Sequence, residues 1–311
     1  MGFRHDPIGG GIDLGRAWFD FDKLKGLSRF VFLLHGYNNT QEDAEAAYAA
    51  FCRGQQELVT PGRDWTRDAA LVRLYWPGDA KWGIFAPAYY PGAVSRAQDV
   101  ALILAQMLDE LSRHSTTPLE LHFVAHSLGN RVLLRALAAL HGNSRATVRR
   151  TVHMAAAVPT WKLRADASDP DQLALGLEME TGVDSHAKSL YSRSDGVLAW
   201  AFPFGETVSP EHDGILPTAF GHEYWGEGVL HANLSQWPAS GAGHGDYWGG
   251  DRKTSPRLRA WVAATVRDEL DLGSAGERRM VGALPLDRMM GEDRSGETRA
   301  LRAREVLESP G

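Results

Sequence analysis

Cysteine is almost missing from this sequence: Cys52 is the only one in 311 residues. A single thiol excludes intrachain disulfides and thiolate metal clusters. Also missing is any apolar run near the eighteen or so residues that a membrane-spanning helix needs. Basic residues are not in excess, with 33 Lys and Arg against 39 Asp and Glu and a net charge of −6. That balance gives no strong positive field for holding a nucleic-acid backbone. The opening MGFRHDPIGGGIDLG lacks the apolar core of a secretory signal, so a cytoplasmic location is expected. No phosphate-cradling or dinucleotide-binding glycine pattern occurs, and no internal repeat. His222 and Glu223 lack the partner histidine of a helical zinc motif, and no metal or cofactor is expected.

What is present is apolar sequence in short, regular pieces. RFVFLL (29–34), ALVRLYW (70–76), LELHFVA (119–125), VRRTVHMAA (148–156), KSLYSR (188–193) and GVLHANL (228–234) read as strands. Between them, Thr40 and Asp43 form a capping box ahead of QEDAEAAYAAFCRGQQEL. Ala97, Ala101, Leu104, Leu108 and Leu111 recur at helical spacing, as do Leu133, Leu137 and Leu140. A last helix covers about 255–270. Alternation of this kind implies an α/β fold, a mostly parallel sheet with helices on both faces and its sites at the C-terminal strand ends. Residues 1–28 form a lead segment with at most one weak strand, around Trp18 to Phe21, and 29–272 a single domain. From 273 to 311 charged residues alternate with Gly, Ser and Pro, without one aromatic ring, which reads as a solvated tail.

The stretch FVAHSLGNRV (123–132) carries the chemistry. A strand ends at Ala125, a helix starts after Ser127, and Ala125 and Gly129 are the small residues two positions away on each side. A serine on so sharp a turn needs small neighbours to avoid clashes, and the helix start turns backbone N–H groups toward it. Ser127 is therefore the candidate nucleophile, and the alternative is a serine that caps a core helix. An oxyanion needs donors. The N–H of Leu128 is one candidate and the N–H of Tyr37, in the HGY loop after the first strong strand, is the other. His35 in that loop is expected to be structural.

In this strand–turn–helix arrangement the acid and then the base follow the serine along the chain. His244 lies in SGAGHGDYW, a glycine-rich loop between the last strand and last helix, and is the expected base. His222 is the second choice. Asp195, just past KSLYSR, is the expected acid, with Asp213 as its rival and Asp184 placed too early.

With those residues in view, the chain resembles the α/β-hydrolase superfamily. It is most similar to a bacterial branch of uncharacterised members that share HGYN and AHS[ML]GN blocks. The matching stretches are VFLLHGYNNTQEDA, AHSLGNRVLLRAL, YSRSDGVL and GHGDYW. The resemblance implies Ser127 as nucleophile, Asp195 as acid, His244 as base, and Tyr37 and Leu128 as oxyanion donors. It implies no particular substrate. Residues 1–28 are too few for the family's usual antiparallel opening strands, so a sheet of about six strands is expected. The short segment between Ala156 and Lys188 leaves no room for a large cap domain.

The reading as a whole is a serine hydrolase that cleaves carboxylic esters through an acyl-enzyme. An acyltransferase or thioesterase would use the same triad, and a non-catalytic binding protein on this fold is the third possibility. The expected partner is a small-molecule ester rather than nucleic acid, with no membrane span and an oligomeric state left open. WPGDAKWGIFAPAYYPGA (76–93) offers Trp76, Trp82, Phe85 and Tyr89 as walls for an apolar group, and 202–227 forms a second long loop.

Overall fold

A computed structural model describes residues 2–5, 12–18, 26–57, 69–78, 86–140, 146–163, 176, 186–207, 216–225, 234–249 and 254–270. Eight strands are present among them: β1 (Gly2–His5), β2 (Ile12–Trp18), β3 (Arg29–Leu34), β4 (Ala70–Leu74), β5 (Leu119–His126), β6 (Ala146–Met154), β7 (His186–Tyr191) and β8 (Leu234–Pro238). The helices are α1 (Gln41–Glu57), α2 (Ala86–His114), α3 (Gly129–Leu140), α4 (Phe202–Thr207) and α5 (Pro256–Glu269).

Six of the strands form one all-parallel sheet in the order β4-β3-β5-β6-β7-β8. Right-handed crossovers then set α1 on one face and α2 and α3 on the other. α1 packs with α5 and α2 with α3, giving helix, sheet and helix in three layers. The central strands are buried on both sides, which is why Phe30 to Leu34 and Leu121 to Ala125 read as nearly continuous apolar runs. The chain runs from β3 outward to β4, then returns past β3 to β5. The strand order reverses there, so the loops after β3 and β5 flank the crevice where such sheets form their sites.

Four expectations change, the first being that the stretch 202–227 is not all loop, because its front forms α4 at Phe202–Thr207. The lead segment holds two strands rather than one: β1 and β2 pair antiparallel as a separate two-stranded sheet. The second helix starts at Ala86, well before Ala97, and carries Pro91 inside it. Pro91 and Gly92 read locally as breakers, so the front of this helix looked like loop. The last strand is Leu234–Pro238, whereas GVLHANL apart from Leu234 lies outside the described residues. As an edge strand it is only half-buried and mixes Ser and Gln with Trp, so it lacks a continuous apolar signature. Its closing proline is tolerated at an edge. The tail from 273 also lies outside the described residues.

Candidate active site

Ser127 sits between the end of β5 and the start of α3 with φ at +53°. That left-handed conformation is strained for serine and must be held by its surroundings. The holding bonds are visible. Ser127 N donates to Met154 O at 3.0 Å and Ala157 N donates to Ser127 O at 3.2 Å. Asn130 Nδ2 donates to the same Ser127 carbonyl at 3.0 Å, while Asn130 Oδ1 faces His153 Nδ1 at 2.8 Å. The small residue after the turn is enforced by backbone: a Cβ on Gly129 would lie 2.4 Å from the carbonyl oxygen of His35.

The loop after β3 presses directly on the serine. A Cβ on Gly36 would stand 2.5 Å from Ser127 Cβ and 3.1 Å from its Oγ. His35 Nδ1, at 2.9 Å, and Asn39 Nδ2, at 3.3 Å, both hold the Gly36 carbonyl. Across a trans peptide the next N–H points the opposite way, so the Tyr37 N–H is turned from that carbonyl. His35 Nε2 accepts from Trp76 N at 3.2 Å, so its proton is on Nδ1, and His35 N donates to the Tyr48 hydroxyl at 2.8 Å. His35 thus braces the loop from below. Among the described residues the Leu128 N–H has no hydrogen-bond acceptor.

Asp195 and His244 converge on the serine from the neighbouring loops. Asp195 follows β7, is fully buried, and accepts on Oδ1 from Val197 N and Leu198 N, each at 3.0 Å. These bonds cap the turn at Val197–Ala201 and aim Oδ2 at His244 Nδ1, 2.8 Å away. His244 Nε2 is 2.9 Å from Ser127 Oγ. With its proton on Nδ1, held by the carboxylate, the imidazole presents a lone pair to the serine hydroxyl. The His244 loop is itself tied: Gly243 N donates to Asp246 Oδ2 at 2.7 Å, and Thr254 Oγ1 donates to the other Asp246 oxygen.

The remaining expected residues divide. His222 faces the carbonyl of Ser192 at 3.2 Å, in the acid loop's support. Asp213, Asp184, Trp82 and Phe85 lie outside the described residues, as does the side chain of Tyr89. Trp76 is buried. Its ring stacks on His35 at 5.5 Å and its Nε1 donates to His35 O at 2.9 Å, which makes it part of the loop's foundation. Sequence reasoning passed over Asn130, His126 and Asp246. Each had a signal: an amide inside an otherwise apolar helix, a histidine beside the nucleophile, and a carboxylate two residues after the base. Among the described residues no group of three or more His, Cys, Asp or Glu side chains is placed to hold a metal ion. No described helix is long and apolar enough to cross a membrane.

Residues 18–201, more than half of the chain, match the family model described as "Alpha/beta hydrolase of unknown function (DUF900)". No curated protein sequence matches. Among solved structures, the lin2722 product of Listeria innocua is similar at 13% identity and a TM-score of 0.46, over 80% of this chain and 96% of that one. TT1662 from Thermus thermophilus is 19% identical with a TM-score of 0.43, over 80% and 90%. An esterase of Pyrobaculum calidifontis is 12% identical with a TM-score of 0.39, over 80% and 78%.

Proposed function

The chain belongs to the alpha/beta hydrolase family of unknown function (DUF900), and on that premise we propose that it is a serine hydrolase of carboxylic esters, with Ser127, Asp195 and His244 as its triad. The observation that carries the reading is the line of hydrogen bonds from Asp195 Oδ2 through His244 to Ser127 Oγ, at 2.8 and 2.9 Å. His244 Nε2 takes the Ser127 proton as Oγ attacks the ester carbonyl carbon. The oxyanion so formed is met by the N–H groups of Leu128 and Tyr37. The C–O bond to the alcohol then breaks and His244 returns the proton to the leaving oxygen. A water molecule, deprotonated by the same histidine, attacks the acyl-enzyme and frees the acid and Ser127.

Residues 29–272 are proposed as the catalytic unit, with 1–28 and 273–311 as appendages and the cytoplasm as its place of work. An apolar acyl or alcohol part is favoured by Val197, Trp200 and Phe204, which follow the acid at helical spacing and are 44%, 81% and 56% exposed. The test is labelling by a fluorophosphonate probe in wild type and in Ser127→Ala. Labelling that depends on Ser127 is expected, and an unlabelled wild type overturns the reading. Turnover of esters of increasing chain length tests the apolar preference, which fails if the shortest esters react best.

A further inference from the structure

At the end of the sheet opposite Ser127, a cavity of about 300 Å³ opens among Arg29, Glu120, His122, Arg149, Arg150 and His186. Strand register builds it. Arg29, the first residue of β3, lies opposite Glu120 on β5. His122 lies opposite Arg150 on β6, and Arg150 opposite His186 on β7. The β5–β6 ladder has an irregularity here, passing from Val148 to Arg150 and leaving Arg149 unpaired in register. An extra residue of this kind re-aims side chains. Strict alternation would send two successive arginines to opposite faces, yet both line this cavity.

Two features mark the cavity as built for a ligand. Among the described residues that line it, one carboxylate stands beside three guanidinium groups, and Glu120 is shared between Arg29 at 3.2 Å and Arg149 at 3.7 Å. The His122 side chain is 3% exposed, and among the described residues neither of its ring nitrogens has a hydrogen-bond partner. Glu120 Oε1 lies 3.8 Å from its Nε2, beyond hydrogen-bond reach. A buried polar group without a partner is costly, and an acceptor placed in the cavity would relieve that cost. We propose that this cavity binds the phosphate group of a small phosphate monoester, with Arg149 and Arg150 donating to its oxygens and His122 donating one ring N–H. Guanidinium forks match phosphate oxygens in geometry and charge. The volume lies at the small end of ligand pockets, with room for a compact organic group beside the phosphate. Four residues of β5 lie between His122 and Ser127, and the five steps along the chain span about 16 Å at ~3.3 Å per residue. The ligand is therefore separate from the substrate of the serine site, and the proposal stands whatever that substrate is.

Burial holds the His122 ring down to about 4, with Arg29, Arg150 and Arg149 pushing the same way and Glu120 opposing. The groups facing it are Arg29 from β3, Glu120 from β5, both β6 arginines and His186 from β7. A bound phosphate adds negative charge among them and moves the ring's titration upward. The test uses the full chain at constant ionic strength. Calorimetric titration with inorganic phosphate and with glycerol phosphate is run beside nuclear magnetic resonance of the His122 ring. Saturable binding, tighter for the monoester, is expected, together with an upward shift of the His122 titration. Arg149→Gln and Arg150→Gln are each expected to weaken binding by about tenfold, the loss of one charge-assisted hydrogen bond. Absence of saturation, or binding that leaves the His122 titration unmoved in the unaltered protein, overturns the site. Tighter binding of inorganic phosphate than of the monoester overturns the assignment to an ester.

Discussion

His126 Nε2 lies 2.7 Å from the backbone carbonyl oxygen of His244. Burial pushes the His126 ring down to about 3, and the nearby His244 ring pushes it the same way. The ring is therefore neutral at ordinary pH and donates its Nε2 proton to that carbonyl. The residue before the proposed nucleophile thus anchors the backbone of the proposed base. In His126→Phe this anchor is lost while the volume stays filled. A displacement near 1 Å at a reacting group can cost on the order of a hundredfold in rate. Ester turnover is expected to fall by roughly ten- to a hundredfold in kcat with little change in KM. His126→Gln, whose amide can donate to the same carbonyl, is expected to recover most of the loss. Equal kcat in wild type and His126→Phe would show that the bond does not position His244.

Asp195→Asn separates the acid's two jobs. The amide oxygen can still accept from Val197 N and Leu198 N, so the turn and the melting temperature are expected to survive. The amide nitrogen would then face His244 Nδ1 and force the proton onto Nε2, the wrong nitrogen for a base. A fall of about 10⁴ in kcat is expected. Normal turnover in this variant would pass the acid's role to Asp213.

The central sheet was legible because its inner strands are largely buried and read as short, mostly apolar runs, of which Phe30 to Leu34 is the clearest. Ser127 was legible for a steric reason, since a serine turn leaves its small neighbours in the sequence. The supports were harder to read because they come from distant residues with ordinary identities. Tyr48, from α1, holds both His35 N and Leu74 O through one hydroxyl. Nothing in AAYAAF announces that bond. β8 and the front of α2 were misjudged where local signals opposed the tertiary outcome: a polar edge strand, and a proline that the helix accommodates near its start.

Gly129→Ala tests the contact between the elbow and the donor loop. The added Cβ would meet His35 O at 2.4 Å and Leu34 O at 3.0 Å, and both are backbone atoms. Neither can swing aside, so α3 or the loop must shift. Overpacking of this kind costs about 1–3 kcal/mol. Denaturant unfolding is expected to show that loss, with a larger fractional loss in ester turnover because the shift falls beside Ser127. An unchanged unfolding midpoint would mean that the elbow relaxes more freely than its contacts imply.

Arg131 on α3 and Glu206 on α4 form a buried pair, with Nη1 to Oε1 at 2.9 Å and Nη2 to Oε2 at 3.4 Å. Their side chains are 1% and 3% exposed, and Tyr90 Oη donates to the same Glu206 oxygen at 2.9 Å. Removing one partner strands the other charge out of water. Glu206→Gln is expected to destabilise the protein by about 3–5 kcal/mol, the usual cost of breaking such a pair. The double variant Arg131→Met with Glu206→Leu is expected to recover most of it, because the desolvation penalty disappears with both charges. Denaturant midpoints of the two variants decide the matter, and a double variant no more stable than the single one counts against it.

Two buried histidines are expected to contribute to the response of stability to acid. His126 is held down to about 3 and His122 to about 4, in both cases chiefly by burial. In the unfolded chain each ring titrates near 6.5. Between that value and the folded one, the unfolded state binds a proton that the native state does not, so unfolding stability rises with pH. The contribution is complete above about 6.5 and is lost progressively as pH falls toward 4. Urea midpoints measured from pH 7 down to about 4.5 are expected to fall steadily across that window. His122→Gln removes one of the two proton-binding differences and is expected to flatten the decline. Its location at the far end of the sheet makes the measurement independent of Ser127 chemistry. A decline as steep in His122→Gln as in wild type would mean that the ring is protonated in the folded protein within this range.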